Sequence, residues 1–305
     1  MRPMARKFLT QQVAPERVGT AVRKHKVEGY ALFWGAPLAV WQLVFFVAPL
    51  VFLVVMTFWT VSNFRLAPDF DTVNWVNMFS KGYVIDTYFR TLGYGALAAV
   101  MCSVLAFPAS YALAFKASPV AQRIGLFMLI TPFFTSYLVR IYSWQAVVAE
   151  NGVLNGLFDL VGLGPFTILG TLLGTMIGYI TLTLPLVILL QFFSLSGVDR
   201  NLVEAAQNLG CGRLRTVFLV IVPLAKTGII LAGTFAFILC FGDLVSPTSL
   251  GSSKPPTLSI LIVDTVKQGN NWPRAAVVAL VMVLTLIVVA FTAIFFAYRV
   301  KKEKI

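Results

Sequence analysis

Charge is scarce in this chain. Asp, Glu, Lys and Arg make up 12% of its 305 residues, where a soluble globule averages about 25%, and 58% of the residues are hydrophobic. That excludes an ordinary water-soluble domain and points to a bilayer. It also changes the meaning of the net charge of +12. In a membrane protein, basic residues set orientation and touch anionic lipid, so membrane lipid is an expected partner and nucleic acid is not. The only histidine, His25, lies in a basic tail, and the three cysteines, Cys102, Cys211 and Cys240, are far apart. No disulfide framework or metal cluster is expected from them. No GxxxxGK(S/T) phosphate cradle occurs, so the chain has no such nucleotide site of its own. A membrane enzyme needs clustered acids, bases, nucleophiles or metal ligands, and paired intramembrane carboxylates are missing. A stand-alone ion-coupled carrier usually carries repeats and broken helices around a midplane site. The sequence displays neither, and it has no second soluble domain.

What is there is a series of long apolar runs. Residues 1–29 form a basic tail with Arg2, Arg6, Lys7, Arg17, Arg23, Lys24 and Lys26. A cleavable signal would place its apolar stretch close behind the first basic residues, so the tail reads as a retained anchor. A first span runs from about Tyr30 to Val61, followed by a polar loop at 62–87. Five further runs follow, at about 88–115, 121–148, 166–193, 224–248 and 274–298. Each is long enough for a crossing, which needs about 20 residues. Six spans put both ends on one side, and a basic end at 299–305 closes the chain. The tail side carries 17 Lys and Arg and the other side six, with Arg140 left inside a span. The positive-inside bias therefore puts both termini in the cytoplasm. Pro108, Pro132 and Pro185 lie inside spans, where membrane helices tolerate them if neighbours satisfy the freed carbonyls.

Between the fourth and fifth spans lies a short stretch with strong local signals. Asp199 is placed to cap a helix beginning near Arg200. Leu202, Ala205, Ala206 and Leu209 fall at helical spacing and form one narrow apolar face. Gly210 can take the left-handed conformation that ends such a helix. The small side chains of Ala205 and Ala206 let another protein's surface approach the backbone. Pro223 marks the start of the next membrane helix.

This stretch resembles the cytoplasmic EAA loop of permease subunits of bacterial ABC importers. Glu204-Ala205-Ala206, three residues, Gly210, nine residues and Val220-Ile221-Val222-Pro223 keep that family's spacing, with Val220 and Val222 where Ile and Leu are usual. Four more stretches extend the likeness to one branch, the spermidine/putrescine permeases. They are Thr131-Pro132-Phe133-Phe134 leading to Leu138-Val139-Arg140-Ile141-Tyr142-Ser143-Trp144, then Asn151-Gly152-Val153-Leu154-Asn155, then Gly242-Asp243-Leu244-Val245-Ser246-Pro247, and Asn271-Trp272-Pro273. The resemblance covers about residues 85–298. It implies an all-α membrane protein of six transmembrane helices with the type I ABC importer permease fold, its core at 88–298 and its coupling loop at 194–223. It also implies a pore shared with a second permease subunit, often non-identical, and a pair of ATPase subunits holding ATP and Mg. A periplasmic or extracellular binding protein would deliver the solute. The substrate implied is a polyamine such as spermidine or putrescine. Another small solute, such as an opine, thiamine or a metal complex, stays open. Docking on the ATPase falls to Glu204, Ala205, Ala206, Leu209, Gly210 and Pro223, with Glu204 held by backbone N–H groups or a nearby arginine.

A charge buried in the bilayer needs a reason, because insertion scales price it at about 2.5–3.5 kcal/mol. Asp243 follows Pro223 by about 20 residues, roughly 30 Å of helix, and Arg140 lies at similar depth in span three. Two readings stand. Asp243 lines the substrate pathway and attracts an ammonium group, or Asp243 and Arg140 pair and lock the helices. Tyr142 and Trp144 offer aromatic faces to an organic cation or anchor the span at the interface. Glu150 and Asp159 lie in a loop that could meet the binding protein.

Overall fold

The computed structural model describes residues 24–62, 65–162 and 165–298. Most of the basic tail 1–29 and all of the basic end 299–305 lie outside them. The chain divides into two compact units, Met1–Phe52 and Leu53–Ile305.

In the first unit, α1 (Lys24–Gln42) runs into a widened π-type turn at Leu43–Val47, closed by Ala48 N–H on the Leu43 carbonyl. Helix α2 (Ala48–Met56) follows. Pro49 explains the widening: it has no N–H for the carbonyl of residue 45, and its ring would crowd that oxygen.

The second unit begins with more order than a polar loop at 62–87 suggests. Strands β1 (Thr60–Ser62) and β2 (Arg65–Ala67) pair antiparallel, Val61 opposite Leu66, and α3 (Val73–Phe79) follows. Asn74 fastens α3 by donating to the carbonyls of Thr57 and Trp59. Span two then starts early, with α4 (Gly82–Tyr111) extended by a π-type turn to Lys116.

Span three is not one straight helix. Helix α5 (Pro119–Ile130) passes through a tight 3-10 turn at Thr131–Phe134 and stops. Thr135 and Ser136 are extended, and α6 (Tyr137–Val148) sets off at 95° to the first arm. This corrects both the continuous 121–148 span and the absence of broken helices expected from the sequence. Pro132 removes one N–H from the ladder, and Thr135 turns its hydroxyl back onto the Pro132 carbonyl.

Helix α7 (Val153–Asp159) and α8 (Leu172–Ser196) come next. Then come α9 (Arg200–Asn208), α10 (Arg213–Thr216), a third π-type turn at Val217–Ile221 and α11 (Val222–Gly242). Helix α10, the turn and α11 form one span, Arg213–Gly242. Pro223 is therefore ten residues inside that span rather than at its start, a second correction. The π-type turn ends two residues before Pro223, as the first one does before Pro49, and absorbs the missing N–H in the same way. Helices α12 (Val245–Ser249), α13 (Leu258–Lys267) and α14 (Trp272–Tyr298) complete the chain. Among the described residues, five helices are long and apolar enough to cross a membrane, six with the bent pair taken as one.

The core is the mutual packing of α4, α8 and α11. Ala98, Ala99, Cys102 and Ala106 on α4 face Ala232, Ala236 and Cys240 on α11, all buried. Small side chains at such spacing let helices approach closely where lipid provides no hydrophobic drive. Polar links tie the same helices: Ser110 donates to Gln191, Gln191 donates to the Ser103 carbonyl, and Cys102 Sγ meets Thr183 Oγ1 at 2.9 Å.

Candidate functional site

Helix α9 is built as the local signals predict. The Asp199 carboxylate accepts the Asn201 N–H at 2.9 Å, which caps the first turn. At the other end Cys211 N–H bonds the Ala206 carbonyl and Gly210 N–H bonds the Gln207 carbonyl, with Gly210 at φ +83°. This paired closure is the Schellman arrangement, and its left-handed residue favours glycine.

The helix is held from one side only. Val203, 9% exposed, packs with Phe192, Leu195, Val198, Ile221 and Ala225. Arg200 reaches across to the Ala114 carbonyl at 3.2 Å. Glu204, Ala205 and Leu202 are exposed, Ala206 is half-buried, and Leu209 is 89% exposed. Among the described residues, the predicted small-residue face is thus largely left out of the packing. Val203 was not on that stripe, and its position one step off the apolar face is the signal for an anchor. Glu204 makes no hydrogen bond or ion pair among the described residues, unlike the backbone or arginine contact expected for it. It lines a groove of about 640 Å³ together with Lys116, Arg200 and Arg213.

The intramembrane charges are arranged differently from the paired sequence reading. Asp243 is 9% exposed and sits just past the end of α11. Its Oδ1 accepts the Val245 N–H, and its Oδ2 accepts the Ser246 N–H and the Tyr137 hydroxyl, the last at 2.6 Å. The Tyr137 and Ser246 hydroxyls are also 2.6 Å apart. Asp243 therefore supplies the cap of α12 while holding the first residue of α6. Burial of a carboxylate is tolerable because its acceptor sites are filled.

Arg140 does not pair with Asp243; no ion pair joins them among the described residues. Its Nη1 donates to the Thr181 carbonyl at 3.2 Å, its guanidinium lies 6.0 Å from the Tyr137 ring centre, and its Nε is buried with no acceptor. Tyr137 thus stands between the two charges. It was missed from sequence because it reads as one more apolar span residue. Arg140 and Trp144 line a cavity at the elbow of span three, whereas Tyr142 is exposed and outside it.

The Asn151–Asn155 stretch is a loop clamp. Asn155, buried, donates to the carbonyls of Ala149 and Phe166 and accepts the Phe166 N–H. A side chain on Gly152 would strike the carbonyl oxygens of Ala146, Val147 and Ala149. Asn271 Oδ1 accepts the Arg274 N–H at the start of α14, beside Trp272 and Pro273. Among the described residues, no three His, Cys, Asp or Glu side chains gather as a metal site.

No family model matches the chain. It is 28% identical over 266 residues to the spermidine/putrescine transport system permease protein PotB of Haemophilus influenzae, covering 86% of this chain and 91% of that protein. It is 27% identical over 273 residues to the inner membrane ABC transporter permease protein YdcU of Escherichia coli, covering 84% and 86%. Its backbone matches a bacterial ABC transporter that imports the acidic polysaccharide alginate, with TM-score 0.70 at 15% identity over 91% of this chain and 99% of that one. The alginate transporter in complex with an alginate pentasaccharide-bound periplasmic protein gives TM-score 0.69 at 16% identity over 92% and 98%. Sequence relatives and fold agree: over most of its length the chain is similar to multi-pass membrane permease proteins of ABC importers.

Proposed function

We propose that this chain forms half of the pore of an ATP-driven importer in a bacterial cytoplasmic membrane and passes a small organic cation inward, a polyamine such as spermidine or putrescine. One observation carries the motor half of this reading. The face made by Leu202, Ala205, Ala206 and Leu209 is closed at both ends by caps and anchored from behind by Val203, yet among the described residues it stays largely exposed. A rigid knob with small residues at its centre suits a cleft on another subunit. The ATPase pair, with its ATP and Mg, occupies that side, which is the cytoplasmic side by the distribution of Lys and Arg. Hydrolysis belongs to the partner, and this chain contributes movement and passage.

The polyamine reading is supported by the names of the relatives and by the aromatic residues Tyr142 and Trp144 on α6. The second permease subunit completes the pathway. A binding protein delivers the solute on the other side, where Glu150 follows the end of α6 and Asp159 ends α7. The test is reconstitution of the chain with its second permease and ATPase in vesicles, with the binding protein and radiolabelled spermidine or putrescine. ATP-dependent accumulation is expected. Accumulation without the ATPase, or an ATPase never stimulated by loaded binding protein with either amine, would refute the assignment.

A further inference from the structure

The elbow of span three lines an open pocket of about 610 Å³. Its walls are mainly apolar, with Met128, Val139 and Trp144 beside the hydroxyls of Thr131, Thr135 and Ser143, and its one charged residue is Arg140. A guanidinium carries five N–H donors. Among the described residues only Nη1 has an acceptor, the Thr181 carbonyl, and Nε is buried with none. Such a charge in apolar surroundings calls for a counter-charge. The chain's own candidate is committed elsewhere, since Asp243 is occupied by Tyr137, Val245 and Ser246. The solute proposed above is itself a cation, which a guanidinium repels. Around the elbow Phe134 is 86% and Val139 63% exposed.

We propose that a carboxylate of the second permease subunit enters this cavity and pairs with Arg140, making the elbow of span three part of the interface between the two permease subunits. The inference rests on the importer reading above. The fork of Arg140 suits a carboxylate, which can take two parallel N–H bonds. The apolar residues around the elbow seal the pair from lipid and water, and the pair fixes how the bent span meets its neighbour.

The test uses the assembled complex: tagged chain, second permease subunit and ATPase, purified together. R140E is expected to lower recovery of the second permease by about tenfold or more, the scale of breaking a buried pair. Replacing one intramembrane Asp or Glu of the second permease by Arg is expected to restore it. An independent arm leaves Arg140 intact, so that a folding defect in R140E cannot decide the matter. Val139→Cys, with Cys211→Ser, is expected to cross-link to the second permease. An assembled complex in which the introduced thiol reacts only with lipid-soluble reagents and never cross-links overturns the proposal. So does wild-type recovery with R140E, and so does normal assembly of R140E with an altered choice between amines that bear a carboxylate and amines that do not, which would assign Arg140 to the solute. If the wild-type chain brings down neither ATPase nor second permease, the importer reading itself fails.

Discussion

The Tyr137 hydroxyl donates to Asp243 across 106 positions of sequence, and each residue stands at an interruption in a helix. Tyr137 opens the second arm of span three, and Asp243 closes α11 and caps α12. One hydrogen bond therefore ties two breaks together. Breaks need such ties, because a helix end inside a bilayer has backbone groups that water cannot serve. Tyr137→Phe and Asp243→Asn should each cost about 0.5–2 kcal/mol. Together they should cost less than their sum, because they remove a shared contact. Unfolding midpoints in detergent check this, and full additivity would show that the two residues act separately. If the tie holds the pathway's shape, uptake falls in both variants while binding of the ATPase is unchanged.

The docking helix yields a sharper contrast. Gly210→Val forces a β-branched residue to φ +83°, which strains the cap by about 1–3 kcal/mol. Ala205→Arg instead leaves the fold alone and obstructs the exposed face. Both should abolish uptake coupled to ATP hydrolysis in a reconstituted complex. The unfolding midpoint should fall with Gly210→Val and hold with Ala205→Arg. Val203→Asp is the counterpart, placing a charge in the anchor, and it should reduce the yield of folded chain. A transport-stimulated ATPase rate unchanged in Ala205→Arg would remove that face from the coupling.

Close packing around the tie predicts a graded response to alanine. A Cβ on Gly178 would lie 2.5 Å from the Ser246 side chain, whereas at Gly93 on α4 nothing lies within 4 Å. Overpacking of this kind costs about 1–3 kcal/mol, and Ser246 touches Tyr137. Gly178→Ala should therefore destabilise and also slow uptake. Gly93→Ala should be neutral or slightly stabilising, since it only removes backbone freedom. Thermal unfolding of the two variants side by side decides the matter.

Asn155 holds the turn between α6 and α8 through three hydrogen bonds. The Ala149 carbonyl keeps the Gly152 N–H, so Asn155→Leu strands the Phe166 carbonyl and N–H, each worth about 1–3 kcal/mol if left unpaired and dry. A large loss of thermal stability is expected, with proteolytic cleavage appearing first near residues 160–168. Wild-type protease resistance would show that water replaces the clamp.

The sequence by itself determined the features whose causes are local. Apolar runs marked the spans, although the run of span three did not reveal its break. Asp199 and Gly210, at the right offsets, marked both ends of α9, because a cap is decided within a few residues. Tertiary structure decided the rest. Pro132 alone did not predict the break at Thr135 and Ser136, since many membrane helices carry proline and stay straight when neighbours satisfy the freed carbonyl. Asp243 and Arg140 looked like natural partners by depth and sign. Which acceptor or donor reaches a buried charge depends on contacts far along the chain, here Tyr137 for the acid and the Thr181 carbonyl for the base. In a medium without water, those distant contacts settle whether a charge is satisfied within its own chain or still awaits a partner.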